Sequence, residues 1–154
     1  MSIEKKLSEL GISLPPAAMP VGAYVAAVRT GDLIFTAGQL PLRDGELIAA
    51  GKVPADIDIE SGQAAARQAA LNALAALKAE VGSLDAVVRI VRVNCFVNSS
   101  AGFTDQAKIA NGASEVLRDI FGDAGVHTRC AIGAAELPLN APVELDLIVE
   151  VSAE

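Results

Sequence analysis

The sequence predicts an α+β domain: a mixed, mostly antiparallel sheet with two main helices packed on one face. Three observations predict it. Ile59 to Val81 is an alanine-rich helical pattern with Leu71, Leu74, Leu77 and Val81 along one stripe. Val143 to Val151 has an apolar residue at every second position (Val143, Leu145, Leu147, Val149, Val151), the period of a strand with one covered face. Helical and β-rich segments follow one another as α, β, β, helix, β, helix, β, β, an order that segregates helices to one side of a sheet. No linker divides the chain, so residues 1–154 read as a single domain, with residues 1–20 as a helix and proline-rich extension.

Ser2 is placed to cap a short helix carrying Ile3, Leu7 and Leu10, with Gly11 as its stop. Pro15, Pro16 and Pro20 keep the next stretch extended or turning. Tyr24–Arg29 and Leu33–Gly38 read as a hairpin around Thr30-Gly31-Asp32. Turn residues Pro41, Asp44-Gly45, Gly51 and Pro54 make 39–58 a loop with a short strand near Leu47. After the long helix and Gly82, Ala86 to Asn98 is rich in β-branched residues. A second helix runs from about Asp105 to Phe121, before Gly122. Strands near 128–136 and 142–151 close the chain, and their short connection predicts that they pair.

Composition narrows the function. The chain has 52% apolar and only 3% aromatic residues, an excess mostly of alanine that points to oligomerisation if much apolar surface is exposed. A net charge of −7 with no basic cluster disfavours nucleic-acid binding. No run is long enough to span a membrane and the N-terminus lacks an apolar signal core, so a cytoplasmic protein is expected. Cys95 and Cys130 lie in β-rich segments without a CxxC partner and read as reduced, packed thiols. There is no GxGxxG, P-loop or Gly-x-Ser-x-Gly.

The last two strands carry the best chemical candidates. Arg129 heads a strand of small residues, sharing a face with Ala131, Gly133 and Ala135. A guanidinium there can hold a carboxylate by paired hydrogen bonds, with bare neighbours leaving room for a ligand, or it can simply reach solvent or a surface acid. Glu144 lies on the polar face of the final strand, where it can hold a water or be solvated. Tyr24, the sole tyrosine, reads as edge packing or as a phenol lining a pocket. Gly38 permits close approach of a ligand to the backbone, or is a turn glycine. Asn111 is a poor helix former inside a helix, placed for a specific contact or for solvent. His127, the only histidine, has no metal-spaced companions and reads as solvated.

With these residues in place, the chain resembles the RidA, or YjgF, family over residues 20–151. Val21-Gly22-Ala23-Tyr24 is similar to its Gly-Pro-Tyr opening, and Phe35-Thr36-Ala37-Gly38-Gln39-Leu40-Pro41 to its Phe-x-Ser-Gly-Gln-x-Pro stretch. Asn111 falls in the matching helix, and Arg129…Leu137-Pro138…Glu144 matches the Arg-Ser…Leu-Pro…Glu signature. Ala23, Ala37 and Cys130 replace the family's proline and two serines, and the N-terminal helix and loop 42–58 are additions that mark a side branch.

The resemblance implies a chorismate-mutase-like fold, a homotrimer with pockets between subunits, and hydrolysis of reactive 2-imino acids or enamines to 2-keto acids and ammonia. It implies Arg129 and Glu144 as catalytic residues, and Tyr24, Gly38, Asn111, Arg129, Cys130 and Ala131 as substrate-binding. It implies neither metal nor organic cofactor. The competing reading is a non-catalytic module that binds a small keto acid or carboxylate. RNA cleavage, a further theme of the family, sits poorly with the acidic charge.

Overall fold

The computed structural model describes residues 1–154. Its main sheet has five strands: β1 (Ala27–Thr30), β2 (Leu33–Thr36), β5 (Val87–Asn98), β6 (Thr128–Ala134) and β7 (Val143–Val151). They lie in the order β1-β2-β7-β5-β6. A separate two-stranded ribbon, β3 (Leu42–Arg43) with β4 (Glu46–Leu47), breaks the 39–58 loop. Helices α2 (Ile59–Val81) and α3 (Gln106–Phe121) cover one face, and α1 (Ile3–Glu9) joins them at one end. The α+β expectation holds.

Helix boundaries follow the capping chemistry. Ser2 Oγ accepts from the amide of Lys5, and Gly11 takes φ +67° just beyond α1. Asp58 Oδ1 accepts from the amide of Ser61 at 2.7 Å, and Gly82 ends α2 at φ +84°. Alanines at 65, 66, 69, 70 and 73 are fully buried. Without long side chains there, α2 lies close to the sheet and to α3. At the crossing of the two helices, a β-carbon on Gly112 would stand 2.0 Å from the carbonyl oxygen of Gln63. The core is completed by alternate residues of β5 and β7, with Val93, Cys95 and Val97 facing the helices together with Val143, Leu145, Leu147 and Val149.

One expected pairing is wrong. β6 and β7 are not neighbours, because β5 lies between them. α3 carries the chain from β5 across to β6, and a helical crossover of this kind delivers a parallel strand. β7 then returns on the other side of β5, antiparallel to it and to β2. The hairpin strands are also shorter than expected: β1 begins at Ala27, leaving Tyr24 in the preceding extended segment, and β2 stops at Thr36. β2 stops there because Thr36 Oγ1 accepts the amide hydrogen of Leu147, a ladder bond that a carbonyl would otherwise take. Pairing resumes at Gln39 opposite Leu145, one residue out of step with Phe35 opposite Ile148. Gly38 therefore sits in a bulge.

The other face of the sheet is bare. Val28, Phe35 and Ile132 on it are 50%, 41% and 50% exposed. No helix in the chain is long and apolar enough to cross a membrane.

Candidate functional site

Arg129 stands on β6 opposite Val93 of β5, and so points to the helix side of the sheet. Its guanidinium reaches the flank of α3. Nη1 donates to Asn111 Oδ1 at 2.8 Å and to Ser114 Oγ at 3.1 Å, and Nη2 donates to the carbonyl of Ala107 at 3.2 Å. Helical spacing makes this contact: residues 107, 111, 114 and 118 fall on one stripe of α3. A guanidinium has five N–H donors. Three are engaged, and the remaining two are enough for one carboxylate. The group borders a cavity of about 380 Å³ lined by Asn111, Ser114, Glu115, Arg118, His127 and Arg129.

His127 corrects an expectation: it is half-buried in this wall and not solvated. Nδ1 lies 2.7 Å from the carbonyl of Gly125, and Nε2 lies 2.9 Å from Ser114 Oγ. Burial pushes its pKa below the ordinary value of 6.5, the carbonyl of Gly125 opposes this, and the nearby Arg129 cation adds to the lowering. Ser114 escaped the sequence reading, although its i+3 spacing from Asn111 was a usable signal. His127 sits two residues before Arg129, on the same strand face by alternation, which was another.

The bare strand face beside Arg129 is not open to a ligand. Ala131 packs against the core, and a β-carbon on Gly133 would meet Gln106 Nε2 at 3.0 Å. The start of α3 fills that space. Cys130 points the other way; it is exposed, not packed as expected, and its Sγ accepts from Arg92 Nη2 at 3.0 Å. Cys95 is the packed thiol, its pKa pushed up to about 12 by burial, with Arg129 opposing.

Glu144 lies on the bare face of the sheet, opposite Phe96, which in turn is opposite Ile132. It meets Gly38 of the bulge: a β-carbon there would come within 2.5 Å of Oε1. Partial burial raises the carboxyl pKa above its ordinary 4.5, and the Asp146 carboxylate on the same strand face raises it further. Asp146 itself accepts from Asn94 Nδ2 at 2.8 Å. Tyr24 is 53% exposed, its ring lying over Gly22.

Arg129 and Glu144 do not converge within one chain. Leu147 and Arg129 both lie opposite Val93, so Glu144 is two strands across and three residues along. Strand spacing and rise put their Cα atoms roughly 14 Å apart, with side chains on opposite faces. The expected residues thus form two groups: Arg129 with Asn111 on the helix side, and Glu144 with Gly38 on the bare side.

A larger cavity of about 950 Å³ lies between residues 11–18, the β3–β4 ribbon and α2. It borders Arg43 and Arg67 but none of the expected site residues. The loop after β4 turns away from Arg129: Val53 bridges to Ser99, and Lys52 Nζ donates to Asn98 Oδ1 at 3.0 Å. No three His, Cys, Asp or Glu side chains are grouped to hold a metal ion.

Fold and geometry define a small α+β protein with an arginine tied to α3 at one sheet edge and a half-buried carboxylate, Glu144, on the uncovered sheet face. Residues 4–151 match the family described as YjgF/chorismate mutase-like, putative endoribonuclease, and the chain belongs to that family, the RidA/YjgF family. It is 44% identical over 151 residues to protein TCP17 of Trypanosoma cruzi, covering 97% of this chain and 94% of that one. It is 31% identical over 140 residues to a 2-iminobutanoate/2-iminopropanoate deaminase of Dermatophagoides farinae, covering 90% and 93%. Among solved structures, the protein Atu1372 of Agrobacterium tumefaciens, whose function is unknown, superposes with a TM-score of 0.91 at 42% identity, covering 97% of this chain and 92% of that one. E. coli TdcF with bound serine superposes with a TM-score of 0.63 at 25% identity, covering 88% and 94%.

Proposed function

We propose that the protein hydrolyses small 2-imino acids, or their enamine tautomers, to 2-keto acids and ammonia at a site shared between copies of the chain. The observation that carries this is the guanidinium of Arg129, held by three bonds at a cavity mouth with two donors free. A named deaminase among its relatives and serine bound to TdcF both support a small ligand with a carboxylate.

Arg129 clamps the substrate carboxylate and fixes C2 in place. Glu144, its proton affinity raised by burial and by Asp146, takes a proton from water as that water adds to C2 of the protonated imine. Glu144 then returns that proton to the nitrogen of the carbinolamine, and the carbinolammonium so formed loses its hydroxyl proton and expels ammonia. An iminium carbon is already electrophilic, so for the addition of water positioning and one base suffice.

Because Arg129 and Glu144 lie on opposite faces of one sheet, the Glu144 that serves a given Arg129 comes from a neighbouring copy. The bare face with Val28, Phe35 and Ile132 supplies the apolar surface that such a copy would cover. We assign a homotrimer, in which each interface brings one Arg129 edge to one Glu144 face. Light scattering tests this, and a stable monomer would contradict it.

Ribonuclease chemistry, which the family description also carries, needs cations along a phosphate backbone. A chain of net charge −7 is poorly made for that.

Generating 2-iminopropionate in situ and following its decay tests the activity. Wild type should accelerate decay and R129A should not. Equal rates with both, together with keto-acid binding by wild type, would favour a binding module over an enzyme.

A further inference from the structure

Ser114 and His127 take no part in the chemistry described so far, yet they make a continuous hydrogen-bonded chain with Arg129. The carbonyl of Gly125 can only accept, so the 2.7 Å contact places the ring hydrogen on His127 Nδ1. In the neutral ring Nε2 is then a bare lone pair. Ser114 Oγ, 2.9 Å away, donates its hydroxyl hydrogen to it. The same Oγ accepts from Arg129 Nη1 at 3.1 Å, which stabilises negative charge on that oxygen. A hydroxyl, a base and a group that orients the base are thus in line.

Both side chains line the cavity that Arg129 borders. The other charged groups there are Arg118 and Glu115 of α3. Two cations against one carboxylate favour the neutral ring, as burial does.

We propose that Ser114 and His127 form a proton relay that serves the substrate held by Arg129. This rests on the hydrolytic function proposed above and adds a second base to it, supplied by the same chain as Arg129. The step served is collapse of the carbinolammonium. Its O–H bond breaks and that electron pair becomes the second bond of the new carbonyl. The C–N bond breaks and its pair leaves on ammonia. The released proton passes to Ser114 Oγ while the serine's own proton moves to His127 Nε2, leaving an imidazolium with hydrogen on both nitrogens. The imidazolium then returns its proton to water. Atoms and charge balance without a further reactant.

The test is H127Q, whose amide can still accept from Ser114 but cannot hold a proton at neutral pH. As a relay, His127 lowers kcat on removal by about 10²–10⁴-fold, with KM little changed. The acid limb of the kcat profile loses one of its two ionisations, the other being Glu144, and added imidazole restores part of the rate. A histidine that only braces Arg129 would instead raise KM and leave kcat and its pH profile as they were. The relay is overturned, and the hydrolytic function kept, if R129A is inactive while H127Q has wild-type kcat and an unaltered acid limb. A wild type without turnover overturns both.

If H127Q does not fold, the ¹⁵N shifts of His127 in the wild type decide. Nε2 without hydrogen at pH 7, perturbed by added pyruvate, supports the relay. A hydrogen on Nε2, or a ring indifferent to pyruvate, overturns it.

Discussion

Gly38 leaves the space that the Glu144 carboxylate occupies: a β-carbon on the glycine would come within 2.5 Å of Oε1. The bulge that puts Gly38 there follows from a side chain, since Thr36 Oγ1 takes the Leu147 amide and the ladder slips by one residue. A side chain's far end can swing aside, so G38A should fold normally while displacing the carboxylate. The expected loss of kcat is on the order of 10²-fold with an unchanged melting temperature. An unchanged rate would show that the position of Glu144 does not matter.

Lysine at position 129 keeps the charge and loses the fork. It cannot satisfy Asn111, Ser114 and the carbonyl of Ala107 while gripping a carboxylate in parallel. R129K should weaken keto-acid binding by ~1.5–3 kcal/mol, about 10–150-fold. Calorimetric titration with pyruvate measures it, and wild-type affinity would show that charge alone holds the ligand.

Gly112 is a packing glycine. Its missing β-carbon lets α3 touch the backbone of α2 at Gln63, and a backbone carbonyl cannot swing away as a side chain can. G112A should cost about 1–3 kcal/mol or more through overpacking. Urea unfolding reads this directly, and an unshifted midpoint would contradict the close crossing.

Two pH effects of opposite sign follow from the site. The His127 pKa is depressed in the folded chain, so its contribution to stability is present above 6.5 and is lost as pH falls through the folded value. The Glu144 pKa is raised, so its contribution is present below 4.5 and is lost as pH rises through its folded value. For activity, Glu144 must be ionised, and turnover should fall on acidification at a pH above the ordinary glutamate range. D146N removes the neighbouring charge and should move that limb to lower pH. A limb that stays in place would mean that Asp146 does not act on Glu144.

Much of this was readable from residues alone, and what was missed has a physical pattern. α2 is bounded by Asp58 and Gly82, whose capping chemistry is local, and the β7 alternation gave the buried set from Val143 to Val151. Alternation tells which face a residue takes, however, and not which strand lies beside it. The short connection after β6 therefore suggested a hairpin, although α3 had already committed β6 to the far side of β5. The same limit hid the placement of the site. Arg129, Asn111, Gly38 and Glu144 could each be singled out, but their separation onto two faces depends on the strand order. Ala131 seemed to border open space because nothing local told that α3 begins over it. His127 looked solvated because its partners, Ser114 and the Gly125 carbonyl, belong to the helix and the turn after it.

The central claim is that Arg129 of one copy works with Glu144 of another, and mixing two inactive variants tests it most directly. R129A and E144Q should each be inactive alone. After mixed refolding at equal amounts, about a quarter of the sites should combine an intact Arg129 with an intact Glu144, and imine hydrolysis should return to about that fraction of the wild-type rate. Mixed oligomers that form and yet remain inactive would contradict the shared site.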